Sequence, residues 1–115
     1  MNDGPWPSEI RLSADKQTLN VTFDGGQSVA LSAELLRVES PSAEVQGHGV
    51  GQKTTPRGKQ DVRITGIEPV GNYAVRLAFD DGHDTGIYSW DILLDYGQRQ
   101  DSLMADYRAR LAAGS

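Results

Sequence analysis

A phrase written twice constrains what this chain can fold into more than any other feature. "FDGGQSVALSAELL" at residues 23–36 and "FDDGHDTGIYSWDILL" at residues 79–94 run the same course. Each has an aromatic, an acidic glycine turn, a short β-prone run, then an acid and leucines. Asp-Gly and Gly-Gly pairs accept the positive φ angles of tight hairpins, so each phrase predicts a turn between two strands. Before each turn the apolar residues alternate, in Leu19, Val21 and Phe23 and again in Tyr73, Val75, Leu77 and Phe79. That is the period of a half-buried strand. Ser32 and Ser89 then stand where a helix N-cap belongs, ahead of helices at 33–37 and 90–94. Asp101 or Ser102 opens a last amphipathic helix carrying Leu103, Met104, Tyr107 and Leu111. The prediction is an α+β fold of two β-hairpin/strand–short helix units plus a C-terminal helix. The units form a pseudo-repeat offset by 56 residues, the distance from Phe23 to Phe79.

A chain of 115 residues suits a single domain, 1–115, that buries a core without covalent staples. Residues 1–6 and 112–115 are expected to be disordered. Cysteine is absent, which removes disulfides, thiolate zinc sites and cysteine nucleophiles. The 16 acidic residues against 11 basic ones give a net charge of −5. That is the wrong sign for a general nucleic-acid binder, whose affinity comes from neutralising phosphates. The sequence shows neither a basic-then-apolar leader nor an apolar run long enough for a bilayer. No membrane contact and a cytoplasmic location are therefore expected.

Between the two units lies "PSAEVQGHGVGQKTTPRGKQ", residues 41–60, whose glycines and prolines predict a loop. Long loops in compact domains often carry function. Gly47 to Thr54 nearly spells a phosphate-binding P-loop. Gln52 takes the place of its second glycine, however, and Pro56 interrupts the helix that should follow, so nucleotide hydrolysis is rejected. Lys53, Arg57 and Lys59 read as a solvated basic loop, with anion binding as the alternative. His48 and His83 are the only histidines, and with Asp80, Asp81 or Asp84 they could furnish a nitrogen–oxygen metal site. Asp84 directly follows His83, though, and neighbouring strand residues face opposite sides. His83 is therefore expected as a water-exposed turn residue whose charge changes near neutrality. No G-x-S-x-G elbow marks a nucleophilic serine, and the aspartates sit where turn chemistry alone expects them. Trp90 reads first as a core plug and second as an interface residue, and Tyr88 equally as either.

Three segments, "IRLSADKQTLNVTFDGG", "LSAELLRVESPSAEVQGHG" and "IEPVGNYAVRLAFDDGHDTGIYSWDILLDYG", together resemble the DUF971 family. It is also called the γ-butyrobetaine hydroxylase-like N-terminal domain, and the resemblance covers roughly residues 7–107. The resemblance implies a domain that, in carnitine-pathway hydroxylases, precedes a separate iron- and 2-oxoglutarate-dependent oxygenase domain. There it holds a structural zinc through three close cysteines and one histidine. Related domains end plastid P-loop iron–sulfur carriers, and many bacteria encode the domain alone. Carried over position by position, the cysteines fall at Ser40, Ser42 and Val45 and the histidine at His83. Serine hydroxyls are poor zinc ligands and valine is none, so the resemblance implies that the zinc site is lost here. It also implies that residues 40–48 lie close to the turn at His83.

The expected function is a non-catalytic accessory or binding module, monomeric and without a cofactor, whose partner is another protein. Its expected contact surface is His48, Lys53, Arg57, His83, Tyr88 and Asp91, the polar residues of the irregular segments. The alternative is an iron- or zinc-binding protein that uses His83 and His48 with a carboxylate in a degenerate ligand set.

Overall fold

The computed structural model describes residues 5–47 and 53–113. Strands β1 (Pro7–Leu12), β2 (Thr18–Phe23) and β3 (Ser28–Ser32) form one antiparallel sheet in that order. Helix α1 (Ala33–Val38) and the single-turn α2 (Ala43–Gln46) follow. Strands β4 (Ile64–Val70), β5 (Ala74–Phe79) and β6 (Gly86–Ser89) form a second antiparallel sheet, again in chain order. Helices α3 (Trp90–Gln98) and α4 (Gln100–Ala112) complete the chain. This is the α+β pseudo-repeat with a terminal helix that the doubled phrase predicts.

The repeat extends to individual hydrogen bonds. Phe23 N–H donates to Gln27 O at 2.7 Å, and Gly26 N–H returns to Phe23 O at 3.1 Å. Phe79 does the same with His83 O at 2.9 Å and Gly82 N–H at 3.0 Å. Gly26 and Gly82 take φ of 95° and 92°, which a side chain would strain. The residue after each phenylalanine is tied to the lead-in segment, Asp24 N–H to Trp6 O and Asp80 N–H to Arg63 O. Both lead-in strands bulge there, between Pro7 and Glu9 and between Ile64 and Gly66. The caps also match: Ser32 Oγ accepts from Leu35 N–H, and Ser89 Oγ from Ile92 N–H.

One core joins the two units. Leu19, Val21, Phe23 and Leu31 from the first sheet meet Ile64, Val75, Leu77 and Phe79 from the second. Helix α3 belongs to the second unit but lies on the first sheet, where Gly97 sits against Val29. The Gln100 side chain continues the crossing. Its Oε1 accepts from Ser32 N–H at 2.9 Å and its Nε2 donates to Ala30 O at 2.7 Å. These bonds occupy backbone groups of an edge strand, which would otherwise be open to pairing with another chain.

Two expectations are corrected. Part of the segment read as loop is helical: Ser42 Oγ accepts from Glu44 N–H and starts α2, a turn too short to show periodicity. Helix α3 runs past 94 to Gln98, supported by the Tyr96 hydroxyl, which donates to Glu39 O at 2.8 Å. Helix α4 closes at Ala112, and the Trp6 carbonyl accepts from the Asp24 N–H. Among the described residues, no helix is long and apolar enough to cross a membrane.

Candidate functional site

The segment after α1 folds onto the β5–β6 turn, as the family resemblance implies. His83 Nε2 lies 2.8 Å from Ser40 Oγ, and Nδ1 lies 2.9 Å from Glu44 Oε1. Beside them Ser42 Oγ is 2.7 Å from Thr85 Oγ1. A neutral ring satisfies these contacts, its Nδ1–H donating to the carboxylate and its Nε2 accepting the Ser40 hydroxyl. Ser42 N–H completes Ser40 by donating to its Oγ. The His83 N–H donates to Asp81 Oδ1, while Asp81 Oδ2 receives Arg37 at 2.7 Å and Lys59 at 2.6 Å. His83 is only 6% exposed, which corrects the expectation of a solvent-facing turn histidine. The clasp closes because residue 86 is glycine: a Cβ there would stand 2.5 Å from Ser40 Oγ.

Ser40, His83 and Glu44 are wired like a serine nucleophile, its base and an orienting carboxylate. Sequence spacing gave no sign of it, because His83 lies 43 residues from Ser40 and 39 from Glu44. Ser40 has no exposed surface, and its oxygen faces His83 and the Ser42 N–H. The contacts form a clasp between the segment after α1 and the β5–β6 turn.

The same place tests the zinc implied by the family resemblance. Ser40 touches His83, and Ser42 and the buried Val45 lie on the same segment, so the four positions do gather. Their donors do not fit the ion. Two are neutral hydroxyls spent on His83 and Thr85, Val45 offers no donor, and the Nε2 lone pair faces Ser40. Among the described residues, no group of three His, Cys, Asp or Glu side chains could hold a metal ion. His48 lies outside the described residues.

Burial pushes His83 below its ordinary pKa of 6.5; Arg37 adds to this, while Glu44 and Asp81 oppose it. The unfolded chain therefore takes up this proton more readily than the folded one. The stabilising effect is complete above about pH 6.5 and declines as the pH falls below it. Burial alone would raise Asp81, but Lys59, the His83 N–H and Arg37 outweigh it and hold the carboxyl well below 3.8. Its contribution is lost only below that ordinary value, so the two windows separate. Thermal melts are expected to show a decline beginning near pH 6.5 that His83→Gln removes. Parallel profiles for the two proteins would exclude this role.

The remaining expected surface residues do not lie together. Tyr88 is wholly buried and its hydroxyl donates to Leu36 O, a correction that follows from the β6 pleat: Ile87 faces out, so Tyr88 faces in. With Tyr88 and His83 inside, the six do not make one surface. Lys53 is exposed but bonds at 2.7 Å to Glu39, whose other oxygen takes Arg110 at 2.8 Å. That acid, only 4% exposed, ties the loop and α4 to the end of α1. Arg57 is exposed on the same loop, next to Pro56, whose carbonyl accepts the Tyr107 hydroxyl.

Asp91 belongs to a different feature. A hollow of about 340 Å³ opens between the lead-in to β1, the β4–β5 turn and the start of α3. Trp6, Asn72, Tyr73, Ser89, Trp90 and Asp91 line it. Trp90 is half-buried, packed on the core on one side and lining the hollow on the other. Its Nε1–H donates to Asn72 O at 3.0 Å and its backbone N–H to Tyr73 O at 3.3 Å. Tyr73 is 56% exposed and Ile87 44%. Ile87 stands two residues before Ser89 on the same face of β6, so this apolar patch runs into the hollow. The other three tyrosines are staples, with Tyr88 on Leu36 O, Tyr96 on Glu39 O and Tyr107 on Pro56 O. Sequence reading missed Tyr73 because it lies at the end of a regular alternating run.

Two hairpin units locked by a polar clasp, with an aromatic hollow at one junction, define a small α+β module. The chain matches the family model described as gamma-butyrobetaine hydroxylase-like, N-terminal, over residues 10–94, and it belongs to that family. Two solved relatives, both NMR solution structures, are 49% and 47% identical with TM-scores of 0.83 and 0.81. Those alignments cover 99% and 96% of this chain and 85% and 86% of the other chains. A third is the crystal structure of a DUF971 protein with unknown function from Acidithiobacillus ferrooxidans, 38% identical with a TM-score of 0.63. It aligns over 77% of this chain and 89% of its own. No curated protein matches the chain.

Proposed function

We propose that the chain is a monomeric, non-catalytic module that binds another protein through the outer face of the β4–β6 sheet. The observation that carries this reading is the exposure of Tyr73 and Ile87 beside the hollow. Aromatic and branched apolar side chains held in solvent next to a concavity are the usual anchors of a protein contact. The buried state of Ser40 and His83 supports the non-catalytic half, because their chemistry is spent on the clasp. The family description, an N-terminal part of hydroxylase-like proteins, fits a module that serves another polypeptide.

Quantitative capture from lysate of the source cells tests it, using wild type, Tyr73→Ser/Ile87→Ser and Lys53→Ala/Arg57→Ala. Losing two anchors is expected to lower recovery of the specific partner by about tenfold or more, and the loop variant to leave it unchanged. Loss confined to the loop variant would move the surface to residues 53–57. A fluorophosphonate that labels Ser40 in the folded protein would overturn the non-catalytic half.

A further inference from the structure

The two sheets treat matching edges differently. In an antiparallel pair, residues alternate between turning both backbone polar groups toward the partner strand and turning both away. Trp90 N–H donates to Tyr73 O and Phe79 N–H to His83 O, which fixes the phase of the β5–β6 ladder. Tyr88 opposite Val75 and Gly86 opposite Leu77 are then the bonded pairs. Ile87 and Ser89 turn their N–H and C=O groups away from β5. The same alternation in the first sheet, counted from Phe23 N–H on Gln27 O, turns Ala30 and Ser32 away from β2. Those are the groups that Gln100 closes, its amide taking the Ser32 N–H and the Ala30 carbonyl. Aligned on the caps Ser32 and Ser89, Ala30 corresponds to Ile87, so Ile87 O and Ser89 N–H are the counterparts of the sealed pair. Nothing equivalent to Gln100 reaches them among the described residues, and Ile87 is 44% exposed. The other two edges are blunted. Strand β4 turns Ile67 and Pro69 outward, and proline has no N–H to offer. Strand β1 begins at Pro7, bulges beside it and carries the charged Glu9–Arg11 pair.

We propose that the edge of β6 takes an extended segment of a partner protein, which joins the second sheet as a fourth strand. The occupant follows from the sealed copy. Gln100 shows that such an edge is satisfied by an amide with one donor and one acceptor, and a peptide backbone repeats that group along its length. Ile87, on the outer face, offers an apolar contact to the residue set beside it on the added strand. Asp84 and Asp91 stand exposed just before and just after β6, so basic residues at the ends of the segment complement them. The inference rests on the reading of this sheet's outer face as a protein-binding face and names the conformation and chemistry of what binds there.

The probe is a terminally blocked heptapeptide, Lys-Val-Thr-Val-Thr-Val-Lys, beside a twin whose central peptide nitrogens are methylated. Methylation removes the donors and keeps the side chains. In NMR titrations the first peptide is expected to shift the Ile87 and Ser89 amides saturably and to slow their exchange with solvent. The Ser32 amide, already bonded to Gln100, should stay in place. The twin should bind about tenfold more weakly or worse, the scale of one or more lost hydrogen bonds. Ile87→Pro deletes an outward N–H and no ladder bond, so it should weaken the first peptide more than Ile87→Ala does. Equal affinity for the twin, or Ile87 and Ser89 amides unmoved by the first peptide, would overturn the proposal. Protection of the Ile87 amide that grows with protein concentration in the absence of peptide would assign the edge to a second copy and overturn it as well. If strand pairing fails while Tyr73→Ser/Ile87→Ser still loses its captured partner, only this inference falls and the protein-binding face stands.

Discussion

Tyr88→Ala is expected to cost about 3–5 kcal/mol of folding stability, the range for deleting a buried aromatic side chain. Tyr88→Phe is expected to cost less, about 1–3 kcal/mol, through one lost hydrogen bond. The ring is wholly buried beneath the clasp, so close to Gly86 that a Cβ there would stand 3.0 Å from it. Its hydroxyl donates to Leu36 O, near the end of α1, where the last carbonyls lack partners within the helix. Ser40 N–H, the donor a longer helix would have supplied to Leu36, bonds to Arg37 O instead. Burial raises the Tyr88 phenol well above its usual range, so it remains a protonated donor at any ordinary pH. Removing the hydroxyl strands a buried carbonyl, and removing the ring also leaves a cavity at the junction of the two units. Urea midpoints measure both. Were Tyr88 a partner contact, stability would stay near wild type and only partner capture would fall.

The burial of Tyr88 was legible in the sequence from a different alignment of the two copies. Phe23 to Ser32 spans one residue fewer than Phe79 to Ser89, so the offset grows from 56 at the phenylalanines to 57 at the caps. Aligned on the caps, Tyr88 falls on Leu31 and Ile87 on Ala30, and the structure buries the first pair and exposes the second. Hairpins and caps were readable because their chemistry is local: a glycine with positive φ, or a serine oxygen within reach of an N–H three residues on. The clasp was not, because its bonds join residues 39 to 43 positions apart and no local pattern encodes the approach of α2 to the β5–β6 turn. The family resemblance did locate that approach, through the positions of a ligand set this chain does not carry. The hollow escaped for a related reason. Trp6, Tyr73 and Trp90 come from three separate segments, and each has an ordinary explanation alone.

Gly97 supplies the second large effect, and with the opposite sign to helix propensity. Inside a helix, replacing glycine by alanine should gain about 1 kcal/mol. At this position a Cβ would stand 2.4, 2.5 and 2.8 Å from Cβ, Cγ1 and Cγ2 of Val29, so α3 must move off the first sheet. Overpacking of that kind costs about 1–3 kcal/mol, which outweighs the propensity gain for alanine and reaches the top of the range for Gly97→Val. Denaturant midpoints are expected to fall in the order wild type, Gly97→Ala, Gly97→Val. The Ser32 amide, held at 2.9 Å by Gln100, should shift in NMR spectra as the helix lifts. Val29→Ala removes the two γ carbons and so should partly relieve Gly97→Ala, making the double variant more stable than the sum of the single losses. Additive losses, or a stabilising Gly97→Ala, would mean that α3 does not lie on β3 as described. The helix that Gly97 seats begins at Trp90 and Asp91, so its displacement is expected to reach the hollow. Its register on the first sheet thus couples the fit of the two hairpin units to the shape of the hollow.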